Sequence, residues 1–256
     1  MDVTNRFVLD FAKRFAHSRP GSKILEFGCG AGAVVAAGRG AGLDIFGADV
    51  FYSGSKARAE AEASGLLGSI IREIRGGRLP FPDSHFDLIT NNQVMEHVED
   101  LDAVLAELRR VLKPGGTVLS IFPSRDVFRE GHIGIPFAHW FRKDSRARFL
   151  YTWALRSLGA GTWKEQAPTR REWAIDKLKW IDTYTHYRTR KEIFAAFDGY
   201  FRTELGEPDY IRYRLRDSRS LAPFAMLLDL PAAPALASAL FRKLAFMVMV
   251  SRKEAS

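Results

Sequence analysis

The chain has 256 residues, of which 46% are hydrophobic and 27% charged. This composition is typical of a globular protein, and the length suits one large domain or a domain with an insertion, which argues against a disordered chain. The single cysteine, Cys29, excludes an intramolecular disulfide, and the first segment, MDVTNRFVLDFAKRF, lacks the long apolar core of a signal peptide. We therefore expect a cytoplasmic protein, or one from an equivalent reducing compartment.

The basic excess of the chain lies in its second half. The formal net charge is +8, but residues 1–123 carry 14 Lys and Arg against 15 Asp and Glu, whereas residues 124–256 carry 24 against 15. A solvated basic surface explains this excess, and so does an anionic substrate, an anionic membrane face or a nucleic acid. Charge alone leaves these alternatives open.

The apolar pattern of residues 1–123 predicts alternating helices and strands. Four apolar residues from Phe7 to Phe15 recur at helical spacing, so a helix is expected to end before Pro20. Strands are expected in SKILEF, LDIFGADVF, FDLITNN and TVLSIFP, and helices in AVVAAGRGAG, SKARAEAEASG and LDAVLAELRRVL, the last stopped by KPGG. This alternation predicts a doubly wound, mostly parallel sheet with helices on both faces, of which these residues supply about five strands.

The pattern changes after Pro123. Residues 124–189 are rich in Arg, Trp and Tyr and contain two helical stretches, RARFLYTWALRSLG and REWAIDKLKWIDTY. We interpret them as a helical cap insertion over the sheet, whose aromatic side chains mostly form its core. Residues 190–256 then complete the sheet, with a helix in TRKEIFAAFDG and strands in YFRTELGEPDYIRYRL and LAFMVMVSRK, so one domain is expected over residues 1–256.

Residues 220–243, SLAPFAMLLDLPAAPALASALFRK, form the longest apolar segment. Asp229, Pro231 and Pro234 interrupt it, and its end must return to the sheet, so a transmembrane helix is not expected. We expect two helices that close the substrate pocket. With the flanking basic residues they could instead rest on an anionic membrane and admit a lipidic substrate.

The segment ILEFGCGAG, residues 24–32, runs from an apolar strand into a turn with three glycines, Gly28, Gly30 and Gly32. Glycines lack a Cβ where the backbone turns and approaches a ligand, and the helix that follows directs its N-terminus at that ligand. With Ala33 the spacing also fits a dinucleotide fingerprint, with Asp49 as the ribose-binding acid. Glu26 favours a cationic ligand instead, because a carboxylate two residues before the first glycine repels a pyrophosphate.

These residues resemble the first motif of the class I S-adenosylmethionine-dependent methyltransferases. The segment LPFPDSHFDLITNNQVMEHVEDLDAVLAELRRVLKPGGTVLSIFP is similar to the block of the third to fifth strands in small-molecule members of the methyltransferase-11 type. The resemblance covers roughly residues 23–123. It implies a seven-stranded Rossmann-like sheet, whose last strand inserts antiparallel beside the fifth, and S-adenosyl-L-methionine as the cofactor.

The same resemblance implies a set of cofactor-binding residues: Glu26, Gly28, Gly30, Gly32, Asp49, Val50, Phe51, Leu79, Asn91 and Asn92. Glu26 and the glycines would surround the methionine moiety, and Asp49 would accept hydrogen bonds from the ribose diol. Residues 50 and 51 would lie beside the adenine, and one of the two asparagines would line the floor near the sulfonium. Arg75 stands where many members have an acidic residue for the adenine amine, so backbone carbonyls near Leu79 would replace it.

Candidate catalytic residues follow the fifth strand. Methyl transfer from a sulfonium is an in-line displacement with a neutral leaving group, so alignment and exclusion of water are the main tasks, and a hydroxyl acceptor also needs a base. His132 is the predicted base, with His139, Asp126 and His186 as alternatives, although His132 could instead order the cap loop through hydrogen bonds. No metal site is predicted, because the spacing of His132 and His139 matches no ligand pattern.

Two further motifs bear on the reaction. Glu96 and His97 in MEHVED have the residue types of an acid–base pair, but in the family this element mostly shapes the start of a helix beneath the cofactor. TNNQV stands where amino-methylating nucleic-acid enzymes of the family have an Asn/Asp-Pro-Pro-Tyr element. A nucleic-acid substrate is therefore not expected.

The sequence thus predicts an S-adenosylmethionine-dependent methyltransferase that acts on a small or lipid-linked metabolite, with O-methylation as the expected reaction. Peripheral contact with an anionic membrane is a further prediction. The alternatives are an RNA methyltransferase, a catalytically silent methyltransferase-like binding module and a nicotinamide oxidoreductase. The sequence leaves the oligomeric state open.

Overall fold

The computed structural model describes residues 1–52 and 55–255, which form one seven-stranded sheet with helices on both faces. The strands are β1 (Lys23–Phe27), β2 (Asp44–Asp49), β3 (Ile71–Glu73), β4 (Phe86–Asn92), β5 (Leu112–Phe122), β6 (Arg202–Leu205) and β7 (Met247–Arg252). The helices are α1 (Val3–Ser18), α2 (Ala33–Gly40), α3 (Ala57–Ala63), α4 (Leu101–Val111), α5 (Arg146–Ser157), α6 (Arg170–Tyr184), α7 (Arg190–Asp198), α8 (Glu207–Asp217) and α9 (Ala233–Leu244). Short 3₁₀ helices cover Met95–His97, Ala138–Trp140, Lys164–Gln166 and Ala222–Asp229.

The strand order is β3-β2-β1-β4-β5-β7-β6, and β7 runs antiparallel to both of its neighbours while the remaining pairs are parallel. The predicted doubly wound sheet with an antiparallel last strand is therefore confirmed. The order reverses between β1 and β4, and ligands of such sheets bind outside the carboxyl ends of the strands at this switch point. The glycine-rich turn after β1 lies there.

Alternation along the strands supplies two apolar cores. Leu25, Ile89 and Val118 face α4 and α7, whereas Ile24 and Leu88, their immediate neighbours, face α1, α2 and α8. Successive side chains of a strand point to opposite faces, so each central strand buries apolar residues on both sides. This explains why these strands are almost continuously apolar in sequence.

The KPGG segment was expected to stop α4 before the next strand. The structure includes it in β5, which begins at Leu112, and the pairing with β4 jumps from Phe86 opposite Leu112 to Leu88 opposite Thr117. The extra residues of β5 therefore form a bulge, with Gly115 at a φ of +72°. Proline and glycine end the helix here without interrupting the strand.

Residues 124–189 form a helical layer with a core of its own. Trp173 is fully buried there and packs with Ile135 and Leu178, while its indole N–H donates to the carbonyl of Thr162. The other four tryptophans are partly exposed, namely Trp140, Trp153, Trp163 and Trp180. Most tryptophans of the cap therefore leave aromatic surface accessible instead of filling its core.

The predicted apolar segment forms two short helices, the 3₁₀ helix Ala222–Asp229 and α9. Both pack on α8, where Arg212 donates to Asp229 over 2.9 Å and the ring of Phe241 lies 5.5 Å from that of Tyr210. Within the described parts of the chain, neither helix lines the two cavities described below, so the expectation that they close the pocket is wrong. No helix among the described residues has the length and hydropathy needed to cross a bilayer.

Leu105 tests how strongly the fold depends on the contact between α4 and the sheet. Its side chain is fully buried, so Leu105→Ala is expected to lower the free energy of unfolding by about 2–5 kcal/mol through lost burial and a residual cavity. Urea unfolding followed by circular dichroism measures this loss. Leu158→Ala is the matched control, because Leu158 is 83% exposed, and an equal loss in both variants would contradict the assignment.

Candidate cofactor and acceptor site

A cavity of about 630 Å³ opens at the carboxyl ends of β1, β2 and β4. Its walls are mostly apolar and come from the turn after β1, the end of β2, the segment before β4 and the start of α4. Five predicted cofactor-binding residues line it, namely Gly28, Asp49, Val50, Phe51 and Leu79. A largely apolar cavity with few polar groups is the usual form of a small-ligand site.

Asp49 connects two of the loops that form this cavity. One carboxylate oxygen accepts from the amide of Gly30 in the turn after β1, and the other accepts from the amide of Phe51, each over 2.8 Å. Phe51 has a φ of +48°, an unusual conformation for a residue with a side chain. The carboxylate therefore stabilises the glycine turn and the start of the following segment.

Gly28 is required for packing as well as for its backbone conformation. Its φ is +73°, and a Cβ at this position would lie 2.3 Å from a methyl carbon of Val94. Gly30 also has a positive φ, but a Cβ there would meet no atom within 4 Å among the described residues. Open space at Gly30 matches the close approach of a ligand that the sequence predicts for this turn.

Glu26 lies on β1 behind the glycine turn and is only 6% exposed. Burial raises the pKa of Glu26 to about 8, while the amide of Val35 lowers it in part and the charge of Asp49 raises it further. Its Oε2 has no hydrogen-bond partner among the residues that the structure describes. A cationic ligand group would supply that missing partner.

The two asparagines lie at the end of β4, as expected, but their side chains bond within the protein. Asn91 donates to the hydroxyl of Ser120 on β5, and Asn92 donates to Asn5 on α1, each over 2.9 Å. In the described part of the chain neither residue lines the cavity, and the same is true of Glu26, Gly30 and Gly32. Their contact with a cofactor stays a prediction.

Arg75 does not occupy the cavity. Its guanidinium is 81% exposed and pairs with Glu73 over 2.7 Å. On the cavity wall, the amide of Leu79 donates to Glu107, and that carboxylate also pairs with Arg110. The carbonyl of Leu79 accepts from Arg110 as well, so the backbone near Leu79 is already hydrogen-bonded to α4.

A second cavity, of about 790 Å³, lies in the cap and is lined by Gly131, His132, Ile133, Thr162, Trp163, Gln166, Lys177 and Trp180. His97 lines the first cavity and His132 lines the second, and their ring centroids are 5.1 Å apart. The two imidazoles therefore lie where the sheet-side cavity approaches the cap-side cavity. Indole rings beside His132 offer apolar, planar surface to a second ligand.

His132 is held by a buried carboxylate that the sequence analysis did not identify. Its Nδ1 lies 2.7 Å from Oε1 of Glu130, which also accepts from the Tyr187 hydroxyl over 2.7 Å, and Glu130 Oε2 accepts from the amide of Ile133. Burial alone would raise the pKa of Glu130, but the bonds from these groups hold it below its ordinary value. Burial lowers the pKa of His132, yet Glu130 and Glu96 together raise it.

The segment EGH in the sequence could have indicated Glu130 as a partner of His132, since the two residues are close in the chain. No pattern could have indicated Tyr187, which comes from the other end of the cap. His139 lies apart from His132, with its Nε2 against the carbonyl of Arg125. His186 binds the loop after β4 through its backbone, donating to the carbonyl of Glu96.

Residues 25–120 match the family described as "Methyltransferase domain". A "Ubiquinone/menaquinone biosynthesis C-methyltransferase UbiE" from Shewanella piezotolerans is 35% identical over 130 residues, which are 46% of this chain and 52% of the relative. A relative of the same name from Vibrio vulnificus is 34% identical over 128 residues, or 48% of each chain. The chain thus spans about half the length of the curated relatives it matches.

Two solved structures have the same fold. An S-adenosylmethionine-dependent methyltransferase from Mesorhizobium loti has a TM-score of 0.53 and 20% identity, with 96% of this chain and all of that chain covered. The cyclase SpnF has a TM-score of 0.51 and 15% identity, with 98% of this chain and 82% of that chain covered. Likeness at this level defines the fold and not the reaction.

The sheet order, the glycine turn and the cavity at the switch point define a doubly wound α/β domain with a site for a nucleoside-type cofactor. The family match makes the definition more specific. Residues 25–120 carry the match to the methyltransferase domain, and the chain as a whole has the fold of the class I S-adenosylmethionine-dependent methyltransferases. The predicted family, fold and cofactor are confirmed.

The residues present fit S-adenosylmethionine. The buried Oε2 of Glu26, which has no partner among the described residues, suits the ammonium of the methionine moiety. Asp49 offers carboxylate lone pairs inside the cavity, and Phe51, Leu79 and Val98 supply apolar walls for a planar base. The ammonium, the ribose and the base of the cofactor therefore each have a chemically suitable residue, and the contacts themselves stay predictions.

Glu26→Gln tests the electrostatic strain at β1. The pKa of Glu26 is 4.5 in its ordinary state and about 8 in the folded protein. At a pH between these two values Glu26 is ionised in the unfolded chain and protonated in the folded chain. The group therefore lowers the free energy of unfolding increasingly as the pH rises through this range. The cofactor-free variant is expected to gain about 1–3 kcal/mol at pH 8 and little at pH 4. Calorimetric melting from pH 4 to 8 measures the difference, with the exposed Glu60→Gln as control. A gain that does not depend on pH would contradict the assignment.

Proposed function

We propose that this protein transfers the methyl group of S-adenosylmethionine to an oxygen of a small or lipid-linked, hydroxylated aromatic acceptor. The observation that carries this proposal is the distance of 5.1 Å between the ring centroids of His97, which lines the first cavity, and His132, which lines the second. Five of the ten predicted cofactor-binding residues line the first cavity, and the second presents indole surface suited to a planar acceptor. Relatives named as quinone-pathway C-methyltransferases support an acceptor of this chemistry, and the acceptor atom in this chain is our proposal.

The cofactor, when bound, supplies an electrophilic methyl group on a sulfonium. The chain's own residues would then have three tasks: to bind, to align and to exclude water. Glu26 would hold the ammonium end and Asp49 the ribose end, which fixes the cofactor at two points. The cap would cover the acceptor side, because its return segment is bonded to the loop after β4 through His186 and Arg188.

A hydroxyl acceptor must also lose its proton. The imidazoles of His97 and His132 are basic groups that line the first and the second cavity, respectively. His132 keeps a raised pKa through Glu130, which suits a group that takes up a proton near neutral pH. The sequence-based prediction of His132 as the base stays a prediction, and a different role for the same imidazole is argued below.

Asp49→Ala tests the cofactor site. Loss of a carboxylate that binds a ribose hydroxyl and stabilises the glycine turn is expected to weaken S-adenosylmethionine and S-adenosylhomocysteine by roughly 10- to 100-fold. Isothermal titration calorimetry measures the dissociation constants. Asp176→Ala on the exposed face of α6 is the matched control and should bind like the parent chain.

The acceptor class is tested with radiolabelled S-adenosylmethionine and a panel of catechols, hydroquinones and polyprenylated quinols. Label in the organic phase, lost in Asp49→Ala, supports the proposal, and mass spectrometry then assigns the methyl to oxygen or carbon. Cofactor binding without label on any acceptor, lipid extract or RNA would favour the silent binding module. Label in RNA alone would overturn the proposal.

Lipid-linked acceptors also require access from a membrane, and we propose that the segment 220–244 rests on an anionic bilayer. Eight large apolar side chains in this segment are 45–73% exposed, namely Leu221, Phe224, Met226, Leu227, Leu230, Leu236, Leu240 and Leu244. Basic residues accompany them at Arg219, Arg242 and Lys243. Exposed apolar side chains flanked by cations are typical of helices that lie in a membrane interface.

Vesicle sedimentation tests this contact. The parent chain is expected to bind phosphatidylglycerol vesicles and to bind phosphatidylcholine vesicles weakly, because both burial and charge contribute. The double variant Leu236→Gln, Leu240→Gln should release the protein from the anionic vesicles, whereas Leu158→Gln, an exposed leucine of the cap, should not. Equal binding of all variants would contradict the proposed surface.

A further inference from the structure

Three side chains with metal-binding chemistry converge between the two cavities. Glu96, His97 and His132 each offer one ligand atom, and these three atoms lie within 4.8 Å of one another. Glu96 and His97 belong to the 3₁₀ helix after β4, whereas His132 comes from the cap loop after β5. The cluster therefore exists only because the cap folds back over the end of the sheet.

The carboxylate of Glu96 is buried without a counterpart. Glu96 is 2% exposed, and neither of its oxygens has a hydrogen-bond partner within residues 1–52 and 55–255. A buried carboxyl group is normally hydrogen-bonded, paired or bound to a metal, so this environment calls for a cation.

Both imidazoles are oriented in the way that metal ligands usually are. Nδ1 of His97 lies 2.6 Å from the carbonyl oxygen of Tyr184, and Nδ1 of His132 lies 2.7 Å from the carboxylate of Glu130. A carbonyl or carboxylate oxygen only accepts, so each Nδ1 carries a hydrogen, and in the neutral imidazole each Nε2 keeps its lone pair. Metal-binding histidines almost always donate their second ring nitrogen to such an oxygen, which fixes the tautomer and the ring orientation.

We propose that Glu96, His97 and His132 bind a divalent first-row transition-metal ion through one carboxylate oxygen and two imidazole Nε2 atoms. Two imidazoles and one carboxylate are a ligand set for Zn²⁺, Fe²⁺ and their neighbours, and three protein ligands leave coordination positions open. The sequence analysis considered His132 together with His139 as possible metal ligands. His139 is not part of the cluster. The two ligands that join His132 are Glu96 and His97 of the MEHVED segment.

The role of the ion rests on the proposed function. An ion at the junction of the cavities would bind the acceptor hydroxyl and lower its pKa, so that the O–H bond breaks and the proton passes to water. The oxygen could then form its bond to the methyl carbon as the bond from carbon to sulfur breaks. His132 would act as a ligand in this scheme and not as the general base.

Cobalt titration tests the site without any dependence on methyl transfer. Chelator-treated protein is titrated with CoCl₂, and visible absorption and the melting temperature are recorded. The parent chain should bind Co²⁺ with saturable absorption bands and a raised melting temperature. Glu96→Gln and His132→Ala should lose both signals, and Glu130→Gln should weaken binding by roughly 10- to 100-fold through loss of the orienting carboxylate.

His17→Ala is the matched control, because His17 is exposed on α1, and it should titrate like the parent chain. Glu96→Gln removes a buried charge without a described partner, so we expect the metal-free variant to melt no lower than the parent chain. Its loss of Co²⁺ binding then has no explanation in unfolding. The absence of Co²⁺ and Zn²⁺ binding by the parent chain, or unchanged binding in Glu96→Gln, would overturn the proposal. Failure of the proposed function would instead appear as unchanged metal binding without acceptor methylation.

Discussion

The site depends on the carboxylate of Asp49, which holds two neighbouring loops together through hydrogen bonds. A parallel sheet ends each strand in a separate loop, and at the switch point between β1 and β4 these loops diverge. Asp49 accepts from one amide of the glycine turn and from the amide of Phe51, so a single side chain joins the end of β2 to the turn after β1. Gly28 and the methyls of Val94 then fill the space beneath that turn, which leaves its outer side open to a ligand.

The buried acids of the site illustrate a conflict between stability and function. Glu26 and Glu96 are each almost inaccessible, and one carboxylate oxygen of Glu26 and both of Glu96 have no partner among the described residues. An isolated buried carboxylate destabilises a fold, so such groups are retained where a ligand supplies the missing charge. For Glu26 the proposed matching charge is the ammonium of the cofactor, and for Glu96 it is the proposed metal ion. Glu26 lies on β1 and Glu96 lies just after β4, the two strands that flank the switch point where ligands of this fold bind.

Local patterns were sufficient to predict the sheet and to identify five residues that line the first cavity. Alternating apolar strands and helices, the glycine turn after β1 and the acid at the end of β2 are features of neighbouring residues, so periodicity and spacing find them. The cap was harder, because apolar periodicity marks its helices but not which of its aromatic residues are buried. Trp173 and Trp180 belong to the same helix, yet one lies in the core of the cap and the other lines a cavity. The segment 220–244 was correctly divided into two helices but placed over the wrong surface, since its apolar face does not specify what it contacts.

The sequence by itself determined the class of this protein, because the residues that define the class follow one another along β1, the glycine turn and β2 and act through local geometry. Only the tertiary structure decided which side chains come together between the cap and the carboxyl ends of the strands. Glu130 and Tyr187 hold His132, and His97 approaches it from the other side, although these residues come from three separate segments. Their convergence depends on how the cap closes over the sheet, and the packing that closes it is a long-range property that no short stretch of sequence contains.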